Sequence, residues 1–290
     1  MEQEKNMLEQ AALILEGGGM RGVYTAGVLD YFLEQALFFE SCYGVSAGAC
    51  HAGSYLSKQK GRAFAVNVDY LKDPRYCSIW SLLLTGNLFG AKMVYDRIPN
   101  EKNLFDYAAY ASQKTKFYAV VTNCETGKAE YKQIKDMKED IIYIRASSSL
   151  PLVSKIVKID GGKYLDGGIA DAIPIARAYQ DGQKKVVAVL TRPAGYEKAP
   201  EKGYGALRLR YGKYKNFLAQ IKRRHEVYNK SIAMAEMMQE AGSAFIIRPS
   251  KPIEVGRIEK NKEKLRELYT LGYEDAAAQY DKMMDFLHQE

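Results

Sequence analysis

Short solid runs of apolar residues alternate along this chain with stretches whose apolar positions recur at helical spacing, and glycine-rich turns join the two. Residues 11–15 (Ala-Ala-Leu-Ile-Leu) form an apolar run closed by Glu16, the pattern of a strand buried on both faces. Residues 17–22 are a glycine turn, and residues 23–37 then place Val28, Leu29, Phe32, Leu33 and Ala36 on one helical face. A second apolar run beginning at Phe38 leads into Gly44-Val45-Ser46-Ala47-Gly48, and the small residues that follow suit a closely packed helix start. Further on, residues 53–72 read as helical up to the Asp73-Pro74 turn, and residues 79–89 are the most apolar segment and hold the only tryptophan, Trp80. Residues 116–122 predict a strand with a hairpin partner at 129–132, and residues 156–165 a second hairpin that ends in Asp166-Gly167-Gly168. A helix at 175–180, a buried strand at 184–190, a long helix at 220–241 and a last strand at 244–249 follow. Residues 259–290 read as two charged helices with Gly272 as the C-cap between them, and residues 1–10 as a loose tail or short helix.

Strands alternating with helices predict an α/β fold with a mostly parallel sheet. The economical division is one principal domain over residues 11–250 with a helical extension, 251–290, packed on it. At 290 residues the chain can bury a large core, and 47% hydrophobic with 27% charged residues is ordinary for a soluble globular protein. No apolar run is long enough to cross a bilayer, and the acidic start lacks a signal pattern, so a cytoplasmic protein is expected. Four cysteines without C-x-x-C spacing and three histidines without ligand spacing predict neither a disulfide framework nor a metal site.

The net charge of +7 is concentrated locally. Arg208, Arg210, Lys213, Lys215, Lys222, Arg223 and Arg224 interleave with Tyr204, Tyr211, Tyr214 and Phe217. Nucleic acid, an anionic membrane surface, or only solvent beside the core are the candidate contacts of such a patch. The segment at 79–89 is in turn a candidate wall of an acyl-chain pocket, with Trp80 and Leu83 foremost, a candidate contact with lipid, or simply a core helix.

Gly44-Val45-Ser46-Ala47-Gly48 fits G-x-S-x-G, a sharp strand-to-helix turn that raises a serine hydroxyl from a sheet edge. In that turn the residues two before and two after the serine are expected to press on each other, leaving room only for glycine. Ser46 is therefore the candidate nucleophile. The earlier turn, Gly17-Gly18-Gly19-Met20-Arg21-Gly22, admits a dinucleotide reading and an oxyanion-hole reading. Because the next strand ends in a serine rather than a ribose-binding carboxylate, the oxyanion reading fits better. Neither His225 nor His288 has the setting of a triad histidine, and His51 is expected below the turn, pointing away. A carboxylate acting directly on the serine is the alternative, with Asp166 well placed. The serines at 147–149 read as capping and turn residues.

Taken in order, the glycine turn, the serine pentapeptide and Asp166-Gly167-Gly168 resemble the patatin-like phospholipase family over about residues 11–180. The resemblance implies a three-layer α/β/α fold and a Ser46–Asp166 dyad that cleaves lipid esters through an acyl-enzyme. It further implies an oxyanion hole from Gly17, Gly18 and Gly19, and no cofactor or metal. Arg21 would orient those amides or a substrate phosphate, or else serve only a structural salt bridge. The expected partner is a lipid or ester substrate, with peripheral contact to an anionic membrane surface as an addition and no nucleic acid. Two other classes stay open on the residues alone: a lipid-surface binder without catalysis, and a dinucleotide-binding oxidoreductase.

Overall fold

The structure, a computed structural model, describes residues 7–252 and 254–289. Eight strands form one sheet among the described residues: β1 (Met7–Leu15), β2 (Leu37–Val45), β3 (Lys116–Asn123), β4 (Ala129–Gln133), β5 (Val157–Ile159), β6 (Gly162–Asp166), β7 (Val186–Val189) and β8 (Ala244–Ile247). Their order is β5-β6-β3-β2-β1-β7-β8, with β4 also paired to β3. The pairs β1–β2, β2–β3, β1–β7 and β7–β8 are parallel, while β3–β4, β3–β6 and β5–β6 are antiparallel. Residues 7–10, expected as tail or short helix, instead extend β1 along β2. The remainder of that tail, residues 1–6, lies outside the described residues.

Alternation along the central strands divides the core into two apolar layers, as a pleated sheet with both faces covered requires. Leu13 and Leu15 of β1, with Val187 and Val189 of β7, pack on one side with α1 (Val23–Glu34), α2 (Ala47–Leu56) and residues of the C-terminal helix. Ala12, Ile14, Val186 and Ala188 face the other way, against α7 (Ile175–Gln180) and the long α9 (Lys215–Glu240). The architecture is the expected three-layer α/β/α. Shorter helices α3 (Arg62–Val68), α4 (Ile79–Thr85), α5 (Tyr107–Ser112), α6 (Met137–Ser147) and α8 (Tyr204–Tyr211) fill the connections. The stretch expected as a single helix at 53–72 breaks at Gly61, which adopts φ 77° and starts α3 after the end of α2.

The C-terminal segment differs from its expectation. Lys262–His288 is one continuous helix, α10, and Gly272 lies inside it rather than capping its middle. The glycine is there for proximity: a Cβ at Gly272 would fall on the carbonyl oxygen of Tyr24, and one at Gly27 of α1 on that of Tyr269. The two helices touch backbone to backbone at these points. Polar bonds lock the crossing, since the Tyr24 hydroxyl donates to Asp275 (2.9 Å) and the Tyr269 hydroxyl to Asp30 (2.7 Å).

Gly272→Ala would gain about 1 kcal/mol of helix propensity but lose about 1–3 kcal/mol to overpacking. We expect it to lower the melting temperature by about 2–4 °C. Gly205→Ala in α8, where nothing stands within 4 Å of the added carbon, should leave the melting temperature unchanged or slightly higher in the same calorimetric series.

Candidate active site

Sheet register brings three separated motifs to one place. β4 occupies one edge of β3, so β2 and β6 share the other, and they meet there end to end. Val45, the last residue of β2, pairs with Val120, and Asp166, the last of β6, pairs with Val121. Ser46 and Asp166 therefore leave their strands at adjoining positions. On the other side of β2, Leu15 pairs with Gly44, so the glycine turn after β1 emerges beside Ser46. Gly17 packs so tightly there that a Cβ would stand 2.7 Å from the Cβ of Ser46.

Ser46 takes φ 54° and ψ −119°, a conformation that costs a non-glycine residue on the order of 1–3 kcal/mol and is retained where the surroundings enforce it. The flanking glycines make room for it and press on each other as the sequence suggested, a Cβ at Gly44 standing 3.1 Å from the carbonyl carbon of Gly48. Gly44 is closed in by the backbone of Ala49 on α2, and Gly48 by the carbonyl of Leu15 on β1. The pentapeptide is thus wedged between its own helix and the neighbouring strand.

The serines at 147–149 do more than cap a helix. The Ser46 amide donates to Ser147 Oγ (2.9 Å), and the Asp166 amide donates to the Ser149 carbonyl (2.8 Å). The last residue of α6 and the turn that follows it thus hold the backbones of both residues. Asp166 Oδ1 accepts from the Gly168 amide (2.8 Å), while Oδ2 is buried without a hydrogen bond among the described residues. The Ser46 hydroxyl comes close enough to favour the charged carboxylate, although no hydrogen bond of standard length and angle joins them. Burial dominates and pushes the Asp166 carboxyl above its ordinary value; the guanidinium of Arg224, Ser46 and Gly168 pull the other way.

The pocket in front of Ser46 has a volume of about 30 Å³, and Gly17, Gly18, Gly19, Arg21, Asp166 and Gly168 all line it. Among the described residues the amides of Gly18 and Gly19 have no hydrogen-bond partner, whereas the next, Met20, donates to the Arg257 carbonyl (3.0 Å). No histidine lines the pocket. His51 sits under Gly22, and burial lowers its pKa to about 4, so the ring is neutral. His225 lines another cavity, and His288 stands near Glu9.

Trp80 and Leu83 are not brought to this pocket. Both are exposed on α4, and Trp80 with Leu84 lines a separate apolar cavity of about 880 Å³ that shares no lining residue with the first. Sequence reasoning missed Ser147 and Arg224. The basic segment is not one surface: Tyr211, Tyr214 and Phe217 are buried, and Arg224 turns inward, its Nε donating to the Gly168 carbonyl (2.8 Å). The only sequence cue for Arg224 was a place in α9 one turn after Gln220, which also donates to this loop, at Ile169.

The family model described as patatin-like phospholipase matches residues 13–179, and the chain belongs to that family. A second model, a domain of unknown function (DUF6363), matches residues 214–288. An uncharacterized protein of Escherichia coli, YjjU, is 30% identical over 265 residues, covering 90% of this chain and 74% of the relative. A probable lipid hydrolase of Invertebrate iridescent virus 6, 463L, is 24% identical, covering 64% and 71%. Among solved structures, VipD from Legionella pneumophila is a loose likeness at 14% identity and TM-score 0.49, covering 94% of this chain and 67% of that one.

A carboxyl whose native pKa lies above its unfolded value holds its proton longer in the fold. Its contribution is full below the unfolded value, and stability is lost as pH rises through the native one. Asp166→Asn removes that loss. We expect the variant to melt above the wild type at pH 7, and the gap to close when pH drops below the ordinary carboxylate range, as scanning calorimetry across pH would record.

Proposed function

We propose that the protein is a serine lipid acyl hydrolase working through a Ser46–Asp166 dyad. Membership of the patatin-like phospholipase family supports lipid ester hydrolysis. The observation that carries the dyad is a serine in a strained turn beside a buried carboxylate whose second oxygen has no hydrogen bond among the described residues. Ser46 Oγ attacks the ester carbonyl carbon while its proton passes to Asp166. Burial serves this step, because a carboxylate pushed above its usual range is a better base near neutrality. The glycine turn, through the amides of Gly17, Gly18 and Gly19, bears the charge that develops on the carbonyl oxygen. The ester C–O bond then breaks, the alcohol leaves with the proton from Asp166, and an acyl group remains on Ser46. Water, deprotonated by the same carboxylate, releases the acid and restores the serine.

Arg21 fits a supporting role. Its guanidinium is buried, its Nε has no partner among the described residues, and its pKa, lowered to about 10 chiefly by burial, leaves it charged. A pocket of about 30 Å³ does not admit a whole lipid. The acyl chain therefore extends outside it, and the groups next to the ester face Arg192, Tyr196, Lys198 and Arg257.

A lipid surface is the second element of this reading. On α4, Ile79, Trp80, Leu83 and Leu84 are 58%, 65%, 68% and 83% exposed, and Arg75, Lys92 and Arg97 line the adjoining cavity. Apolar tips flanked by cations suit an anionic bilayer.

Ser46→Ala and Asp166→Asn should each lower kcat/KM for a p-nitrophenyl ester by about a thousandfold or more, with folding retained by circular dichroism. Full activity in Ser46→Ala would move the chemistry elsewhere. Trp80→Ala combined with Leu84→Ala should weaken sedimentation with anionic vesicles about tenfold or more, each buried side chain contributing on the order of 1.5–3 kcal/mol.

A further inference from the structure

The pocket around Ser46 carries positive charge that ester hydrolysis alone does not require. Arg21, Arg192, Lys198, Arg224 and Arg257 line it against only two carboxylates, Glu16 and Asp166. Glu16 is occupied: Oε2 accepts from the Thr191 amide (2.6 Å) and hydroxyl (3.1 Å), and Oε1 from the Tyr228 hydroxyl (2.9 Å). Asp166 faces the serine. Among the described residues only Arg224 of the five cations has a carboxylate within 4 Å, Glu201 at 3.6 Å.

These cations are held in place without being neutralised. Arg192 stacks over Tyr196 at 4.3 Å, Lys198 lies over Tyr228 at 4.2 Å, and Arg224 bonds the Gly168 carbonyl with its side chain 12% exposed. They also repel one another. Lys198 is pushed down to about 8 by burial first, then by Arg224 and Arg257, and Arg21 is lowered by burial first, then by Arg192. Converging cations with a net excess, fixed on aromatic faces next to unpartnered amides, make a receptor for a compact multivalent anion.

We propose that this pocket is an anion subsite, and that the ester cleaved at Ser46 carries a phosphate held by Arg192, Lys198, Arg224 and Arg257. The substrate half of this statement rests on Ser46 being the nucleophile; the subsite itself does not. All four residues lie outside residues 13–179, so the cradle is a contribution of the C-terminal third to the core matched by the family model.

The test uses the full chain with a 1-acylglycerol 3-phosphate, the 1-acylglycerol of the same chain length, and inorganic phosphate. The wild type should favour the phosphorylated ester by about tenfold or more in kcat/KM, and Lys198→Met and Arg192→Gln should each reduce that ratio about tenfold. Inorganic phosphate should raise the wild-type melting temperature, and the rise should be lost in Lys198→Met. A wild-type ratio near one, or a ratio that both variants leave intact, overturns the substrate assignment, including the case in which free phosphate still stabilises the protein. If the wild type cleaves neither ester, the nucleophile reading fails separately. The phosphate-induced melting shift then decides the subsite: present in the wild type and lost in Lys198→Met supports it, and absent in the wild type overturns it.

Discussion

The site depends on a single constraint in the sheet, the meeting of β2 and β6 end to end along one edge of β3. Parallel pairing carries β2 up to Val45 opposite Val120, and antiparallel pairing brings β6 in from the other direction to Asp166 opposite Val121. A one-residue slip in either ladder would turn Ser46 or Asp166 to the opposite face of the sheet. The turn at 147–149 reinforces the junction from outside, bonding the amide of each residue. Placement thus comes from main-chain hydrogen bonds, which leaves the Ser46 hydroxyl and Asp166 Oδ2 free of structural duty.

The C-terminal third completes what the junction starts. α10 lies on α1, the helix that follows the glycine turn, and the two are fixed by backbone contact at Gly27 and Gly272. The segment before α10 supplies the Arg257 carbonyl that holds the Met20 amide, so the outer end of the glycine turn is anchored from a distant part of the chain. α9 crosses the other face and delivers Arg224 to the loop after Asp166. Burial raises the Asp166 carboxyl and Arg224 moderates that rise, so the basicity at the site is set jointly by the sheet and by α9.

Much of this was legible before any coordinates. The apolar runs marked the strands because strands covered on both faces carry no polar alternation. The serine pentapeptide, the glycine turn and Asp166-Gly167-Gly168 stood in order, and each now lines one pocket. What the residues hid depends on distance in space. Ser147 looked like a cap because a buried hydroxyl accepting from an amide 101 positions away leaves no local trace. Arg224 looked like one more cation in a basic segment, since sequence does not say which face of α9 meets the sheet. Gly272 was misread because a glycine needed for close approach looks the same as one that ends a helix. Trp80 and Leu83 were candidates for the wall of an acyl-chain pocket by composition, yet the fold sets Trp80 at a separate cavity and leaves Leu83 exposed.

The most direct measurement of the central claim is labelling with a fluorophosphonate followed by mapping of the modified peptide. The account predicts a single phosphonylated residue, Ser46, with labelling slowed strongly in Asp166→Asn because the hydroxyl loses its proton acceptor. An enzyme that hydrolyses esters while Ser46 stays unlabelled, or labels equally fast without the Asp166 carboxylate, would contradict it.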